Sequence, residues 1–272
     1  MARKANDPAA LAMALVVSVD AQRSTMSIHD RIAYCGEVIE LAGELNDRRQ
    51  ALLGHTWQYV DLMELGDMAA VDAGIEACLQ LAREIRQPQS TWSAITRKTL
   101  RTVMNGDLQS ALRLAQETHA LGARLAPENA ELTFFTHQCM IFRELDRLPE
   151  LSLFANQLIQ KHPEFPILRC VAALIDCEAN ELDRAAELLQ VLAHEDLPVL
   201  PLNSLWLPTC ALLAEVAHLT GNQEVAVVLH PLLAQYQDRN VAGGNSICFG
   251  AASRFLGLCS LTVGRYEAAL IE

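Results

Sequence analysis

Met104-Asn105-Gly106-Asp107-Leu108-Gln109-Ser110-Ala111 reads as the end of one helix followed at once by the start of another. Glycine suits the left-handed residue that stops a helix, and an acidic side chain after it suits the cap of the next. The phrase recurs along the chain as Glu64-Leu65-Gly66-Asp67, Arg143-Glu144-Leu145-Asp146-Arg147-Leu148, Asn180-Glu181-Leu182-Asp183-Arg184-Ala185, Gly221-Asn222-Gln223-Glu224-Val225-Ala226 and Gly264-Arg265-Tyr266-Glu267-Ala268-Ala269. Aligned on the turn residue, at 66, 106, 146, 180, 221 and 264, the units are about 40, 40, 34, 41 and 43 residues apart, the period of two-helix repeats. That period predicts an all-α fold: a right-handed α-solenoid of about seven helical hairpins, each burying its apolar face by stacking on its neighbours. Folds of this kind usually present surfaces and seldom perform chemistry.

Composition agrees with close helix packing. Apolar residues make up 51% of the 272 and aromatic ones only 5%, so the core must come from Leu, Ala, Val and Ile. Mean hydropathy is +0.15, and no apolar stretch reaches membrane-spanning length without charges, so no membrane association is expected. With 21 basic against 33 acidic residues the formal charge is -12, a field that repels phosphate backbones and argues against direct nucleic-acid contact. Eight cysteines are scattered without any CxxC pair, mostly in apolar stretches such as Ile247-Cys248-Phe249, which reads as buried free thiols in a reducing cytoplasm. The basic start, Arg3 and Lys4, precedes no apolar run long enough for a signal peptide.

Cap and breaker residues divide the chain into about fourteen helices. Asp7-Pro8 opens the first, Ser27-Ile28-His29-Asp30 the second, and Asn46-Asp47 one that ends at Gly66. Others start at Asp67, Ser90, Asp107, Glu128, Pro149, Pro166 and Asp183, with prolines marking boundaries. Residues 194–203, with Pro198 and Pro201, read as the longest irregular connection. Pro231 should kink or break its helix, and Gly243-Gly244 reads as a flexible loop. No strand alternation stands out, and no linker divides the chain, so residues 1–272 read as a single helical-repeat domain.

The last hairpin, Phe255-Leu256-Gly257, Leu261, Gly264-Arg265-Tyr266 and Ala269, resembles a tetratricopeptide repeat, with Gly257 and Ala269 placed where paired helices touch. Almost the whole chain is similar to the C-terminal helical-repeat region of bacterial multidomain signalling ATPases, such as LuxR-type regulators of the MalT kind and ATPase-linked adenylate or guanylate cyclases. The phrases that carry this are Asp61-Leu62-Met63-Glu64-Leu65-Gly66-Asp67, Arg86-Gln87-Pro88, Leu205-Trp206-Leu207, and Asp238-Arg239-Asn240-Val241 leading into Phe255-Leu256-Gly257-Leu258. The resemblance implies a non-enzymatic regulatory module that binds a protein or peptide partner, or a small-molecule inducer, and relays this to an attached ATPase and output domain. No GxxxxGK[ST] phosphate loop is present, and no cofactor is implied. The sequence reaches Glu272 a few residues into the second helix of a repeat, which reads as a C-terminal truncation; the alternative is a homodimer in which another chain covers that hairpin. Two other readings stand beside the module: a surviving fragment of the whole regulator or cyclase, and a stand-alone assembly scaffold.

Catalytic and metal sites are not indicated. The eight histidines show no HxxxH or HExxH spacing, Cys170 and Cys177 could share a metal only with ligands from a neighbouring helix, and no GxSxG elbow occurs. The first helix of each pair offers the candidate binding face. Counting ten, six and three residues back from each turn gives Thr56, Val60, Met63, Thr96, Leu100, Val103, Thr136, Met140, Arg143, Cys170, Leu174, Cys177, Ala211, Glu215, His218, Arg254, Leu258 and Leu261. The aliphatic members read as interhelical core. Arg143, Glu215, His218 and Arg254 are the polar points and the candidate binding residues, in a setting suited to a peptide helix or small organic ligand.

Overall fold

A computed structural model describes residues 7–21, 26–197, 200 and 203–272. Among the described residues are fourteen α-helices and a single two-stranded sheet, so the protein is mostly helical. The chain forms two compact units, Met1–Phe134 and Phe135–Glu272.

The first unit contains α1 (Pro8–Ala21), α2 (Ile28–Glu44), α3 (Arg48–Leu65), α4 (Met68–Ile85), α5 (Pro88–Met104), α6 (Leu108–Gly122) and the beginning of α7 (Pro127–Glu144). From α1 to α6 each helix packs on the next. Their rhythm is set at the helix ends, where Asn46, Gly66, Arg86 and Gly106 all adopt positive φ. At Gly66 this conformation lets two amides turn back, Gly66 N to Met63 O at 3.2 Å and Asp67 N to Leu62 O at 3.1 Å, which satisfies carbonyls that the helix leaves open. The next side chain then faces forward. Asp47 accepts from Gln50 N at 3.1 Å, Asp67 from Ala70 N at 3.0 Å and Asp107 from Ser110 N at 3.1 Å. One residue closes a helix and its neighbour opens another, so consecutive helices lie side by side without a loop. Five residues beyond the turns, Val71 and Ala111 are fully buried against the preceding helix layer.

Two buried arginines organise this unit. Arg31 on α2 donates from Nε to Asp61 Oδ1 on α3 at 3.0 Å, with Glu64 Oε2 at 3.6 Å from its Nη2. Arg97 on α5, with no exposed surface, donates to Ser93 O at 2.9 Å and lies over the Tyr59 ring at 5.6 Å. Burial lowers the pKa of His55, and the Arg97 charge lowers it further.

The second unit contains the remainder of α7, a 3-10 turn at Leu148–Leu151, α8 (Ser152–Lys161), α9 (Pro166–Glu178), α10 (Leu182–Val191), a π-helical turn at Leu192–Asp196, α11 (Trp206–Leu219), α12 (Gln223–Ala234), β1 (Asn240–Gly243), β2 (Ile247–Ala251), α13 (Ala252–Thr262) and α14 (Tyr266–Ile271). Its centre is α11. Every residue from Leu207 to Ala217 is buried, and the helix packs on α9, α10, α12, α13 and both strands. A helix that is apolar on all sides belongs inside, and α11 is one. The repeated turn persists here: Asp146, Asn180, Gly221 and Gly264 have positive φ, and Asn222 caps α12 through Val225 N at 3.0 Å. Leu151, Ala185 and Ala226, five residues past their turns, are buried. Gly257 and Ala269 meet as their spacing suggests, since a Cβ on Gly257 would lie 3.4 Å from Ala269 O.

Several expectations are corrected. The segment containing Gly243-Gly244 is a β-hairpin, in which Ala242 pairs with Cys248 and Gly243 with Ile247, antiparallel. Strands of four and five residues rich in Ala and Gly carry too little alternation to be recognised from periodicity. The helix predicted from Ser90 begins at Pro88, whose missing amide costs nothing in a first turn. Pro149 lies in the 3-10 turn, and α12 continues through Pro231 to Ala234. Residues 194–196 of the connection expected to be irregular belong to the π-helical turn Leu192–Asp196. Arg3, Lys4, Pro198 and Pro201 lie outside the described residues. Among the described residues no helix is long and apolar enough to cross a membrane.

Candidate functional site

The helix α11, Trp206-Leu207-Pro208-Thr209-Cys210-Ala211-Leu212-Leu213-Ala214-Glu215-Val216-Ala217-His218-Leu219, contains one carboxylate, Glu215, in a mostly apolar core helix. A carboxylate whose side chain is 7% exposed must find cations or give up its charge. Glu215 finds two. Arg143, one residue before the end of α7, donates from Nη2 to Glu215 Oε1, and Arg254 in the first turn of α13 donates from its own Nη2 to the same oxygen at 2.7 Å. The second oxygen, Oε2, is buried and accepts no hydrogen bond. Arg143 is 25% exposed and Arg254 47%, so both guanidiniums reach solvent while the carboxylate between them does not. Arg254 also lies over the Phe255 ring, 4.9 Å from its centre, which holds the guanidinium near the surface of α13.

Three of the four residues expected to form the binding face, Arg143, Glu215 and Arg254, therefore come together. His218, one turn further along α11, is engaged elsewhere, with Nδ1 3.1 Å from Thr262 Oγ1. The Thr262 hydroxyl donates to Leu258 O at 2.7 Å, so it accepts from His218 Nδ1–H. Most of the aliphatic candidates behave as core: Val60, Met63, Leu100, Val103, Leu174 and Ala211 are buried, as are Cys170 and Cys177, while Met140 and Leu258 are half-buried. Thr56 and Thr96 donate to the carbonyls of Leu52 and Trp92 in their own helices. Leu261 is exposed.

Periodic counting reached Cys177 but missed the two carboxylates that flank it at the end of α9, Asp176 and Glu178, which border the cluster. The Glu178 carboxyl is pushed up by burial first and then by Glu215 and Asp146, against the opposite pull of Arg143. Burial pushes the Cys177 thiol up to about 11, with Asp176, Glu215 and Glu178 adding to the effect, so it stays a neutral thiol at physiological pH. Asp176 is raised by burial, partly offset by Arg184 at 3.3 Å. The signal that could have found this edge is charge: Glu178 ends a helix whose other residues are mostly apolar.

Elsewhere, an open cleft of about 380 Å³ in the first unit is lined by residues including Lys98, Asp107, Ser110, Arg113 and Glu117. Its charges are balanced and partly mutually engaged, with Arg113 donating to Ser110 Oγ at 2.9 Å. Among the described residues no group of three or more His, Cys, Asp and Glu side chains could hold a metal ion. The outer side of α14 exposes Tyr266, Leu270 and Ile271.

No protein-family model matches the chain, and no curated protein matches it in sequence.

What the cluster can do follows from its parts. Two forked cations at the surface, drawn together by one buried anion, present N–H groups to an approaching acceptor. The Cys177 thiol beside the cluster is held neutral and is therefore no activated nucleophile.

Proposed function

We propose that the chain is a tetratricopeptide-type solenoid of helical hairpins that acts, without chemistry of its own, as the protein- or ligand-binding regulatory module of a bacterial cytoplasmic signalling ATPase or transcriptional regulator. The observation that carries this reading is the convergence of Arg143, Glu215 and Arg254 from the first helices of three helical pairs. Charged side chains brought together from separated repeats are how a helical array makes one composite recognition surface. The even placement of left-handed turns and the buried residue that follows each support the repeat architecture.

The test compares the natural chain with Arg254→Ala, a change that leaves Arg143 to hold Glu215. Each is used as bait for cytoplasmic proteins and metabolites, with quantitative mass spectrometry of what is retained and circular dichroism to verify folding. A specific partner or ligand retained by the natural chain and lost from the variant supports the reading. Hydrolytic turnover of ester, peptide or nucleotide substrates that disappears with Arg254 would sink it, as would identical retention by both proteins.

A further inference from the structure

The way Glu215 is held suggests that it is a replaceable occupant of its own site. Both arginines spend only Nη2 on it, and both converge on Oε1. The Nε and Nη1 groups of Arg143 and Arg254 remain available, and these side chains are reached from solvent before the carboxylate is. The geometry of a guanidinium fork matches two oxygens of one oxyanion, whereas here two forks share a single oxygen. We infer that an oxyanion group of the ligand, a carboxylate or a tetrahedral oxyanion, takes the place of Glu215 between Arg143 and Arg254, and that the displaced carboxylate binds a proton from solvent.

This inference rests on the reading of the face as a binding surface and adds a form of regulation to it. The proton follows from burial. Once the arginines turn to the ligand, Glu215 is left on an apolar helix with its second oxygen already unpartnered, and a buried carboxylate without a cation is far more stable when neutral. Groups facing Glu215 do not supply a substitute. From α9 come the thiol of Cys177, which is neutral and brings no cation, and the acidic Glu178, which disfavours a second anion; from its own helix comes His218, whose Nδ1 proton goes to Thr262. Arg143 from α7 and Arg254 from α13 are the ion-pair partners of Glu215 among the described residues, and α10, α12, β1 and β2 add none. Glu178, close enough to Arg143 and Glu215 to sense both charges, is the other group able to share the proton.

The free state is thus self-occupied, and the ligand must outcompete an internal anion. Acidification helps it do so. For one proton taken up per oxyanion bound, the dissociation constant rises about tenfold for each unit of pH.

Sulfate is the primary probe, because its charge is constant over this range, and acetate is the second, planar probe. Binding to the full chain is measured by calorimetry from about pH 6 to about pH 8 at fixed chloride, in buffers of different ionisation enthalpy. We expect sulfate or acetate affinity to fall about tenfold per pH unit, with about one proton taken up. Preference for sulfate identifies a tetrahedral group as the natural ligand chemistry, and preference for acetate a carboxylate. Glu215→Gln should bind more tightly than the natural chain at the alkaline end and lose the pH dependence, Glu178→Gln should keep it, and Arg254→Lys should weaken binding while remaining folded. Affinity that does not change with pH, equal or weaker binding by Glu215→Gln, or no anion binding at all overturns the exchange. If partner retention still depends on Arg254 in that case, the binding-module reading survives; loss of both dependences removes both.

Discussion

Gly243→Ala and Gly244→Ala are neighbouring substitutions that should act through different physics. Gly243 is the last residue of β1, and a Cβ there would stand 2.4 Å from Ser204 O and 2.8 Å from Pro208 Cγ. Ordinary contact begins at 3.4 Å, so the strand or the start of α11 must move by about 1 Å, and overpacking of this sort costs about 2–3 kcal/mol. Part of that is offset, since alanine restricts the unfolded chain by about 0.5–1 kcal/mol relative to glycine, leaving a net loss of about 1–2.5 kcal/mol. Gly244 has no atom within 4 Å of its Cβ direction but a φ of +54°, so its alanine meets only backbone strain, about 1 kcal/mol before the same offset. Urea unfolding followed by Trp206 fluorescence reports both changes, because Trp206 lies near the hairpin's entry, 5.7 Å from the Tyr236 ring. Pro208→Ala should not rescue Gly243→Ala, because the closest obstacle is a backbone carbonyl. Equal stability of Gly243→Ala and the natural chain, or a larger loss at Gly244 than at Gly243, would refute the docking of β1 against the start of α11.

Asp61→Ala should destabilise the first unit by about 3 kcal/mol, near the lower end for a broken buried pair because Glu64 stands 3.6 Å from Arg31 as a poorer replacement. The double variant Arg31→Met with Asp61→Leu should recover most of that loss in chemical denaturation; no recovery would mean that packing rather than an unpaired charge sets the cost. Alkaline pH should weaken the second unit. Burial raises the thiols of Cys210 and Cys259 to about 12 and that of Cys177 to about 11, above the ordinary value of 9.0 that they regain on unfolding. Groups with raised folded pKa stabilise fully below the unfolded value and lose that contribution as pH climbs through the folded ones, so the urea midpoint should fall between about pH 9 and pH 12. The same three thiols should resist disulfide reagents until the protein unfolds; rapid native labelling of Cys177, Cys210 and Cys259 would contradict their burial.

The candidate site was legible in part. Counting back from Asp146, Gly221 and Gly264 reaches Arg143, Glu215 and Arg254, because a left-handed residue fixes where each helix stops and therefore which side of it a residue occupies. The same count proposed His218, yet its partner is Thr262, since one helical turn along α11 is enough to bring it against α13 at a different depth. Glu178 lies next to the cluster but only two residues before Asn180, one position past the counted third, so the count passed over it.

Local chemistry determined the rest of what the sequence revealed. Glycine or asparagine in the left-handed region, an acidic cap after it and a small residue five positions later act over a single turn of chain, so helix boundaries follow from neighbouring residues. That Glu215 takes two arginines from helices distant in sequence, that Arg97 is buried whole, and that a Gly- and Ala-rich segment pairs as strands against α11 are decisions of tertiary structure. They depend on which surfaces remain open once α11 is enclosed, because desolvation gives each charge and each unpaired backbone group its partner only after the packed core has formed.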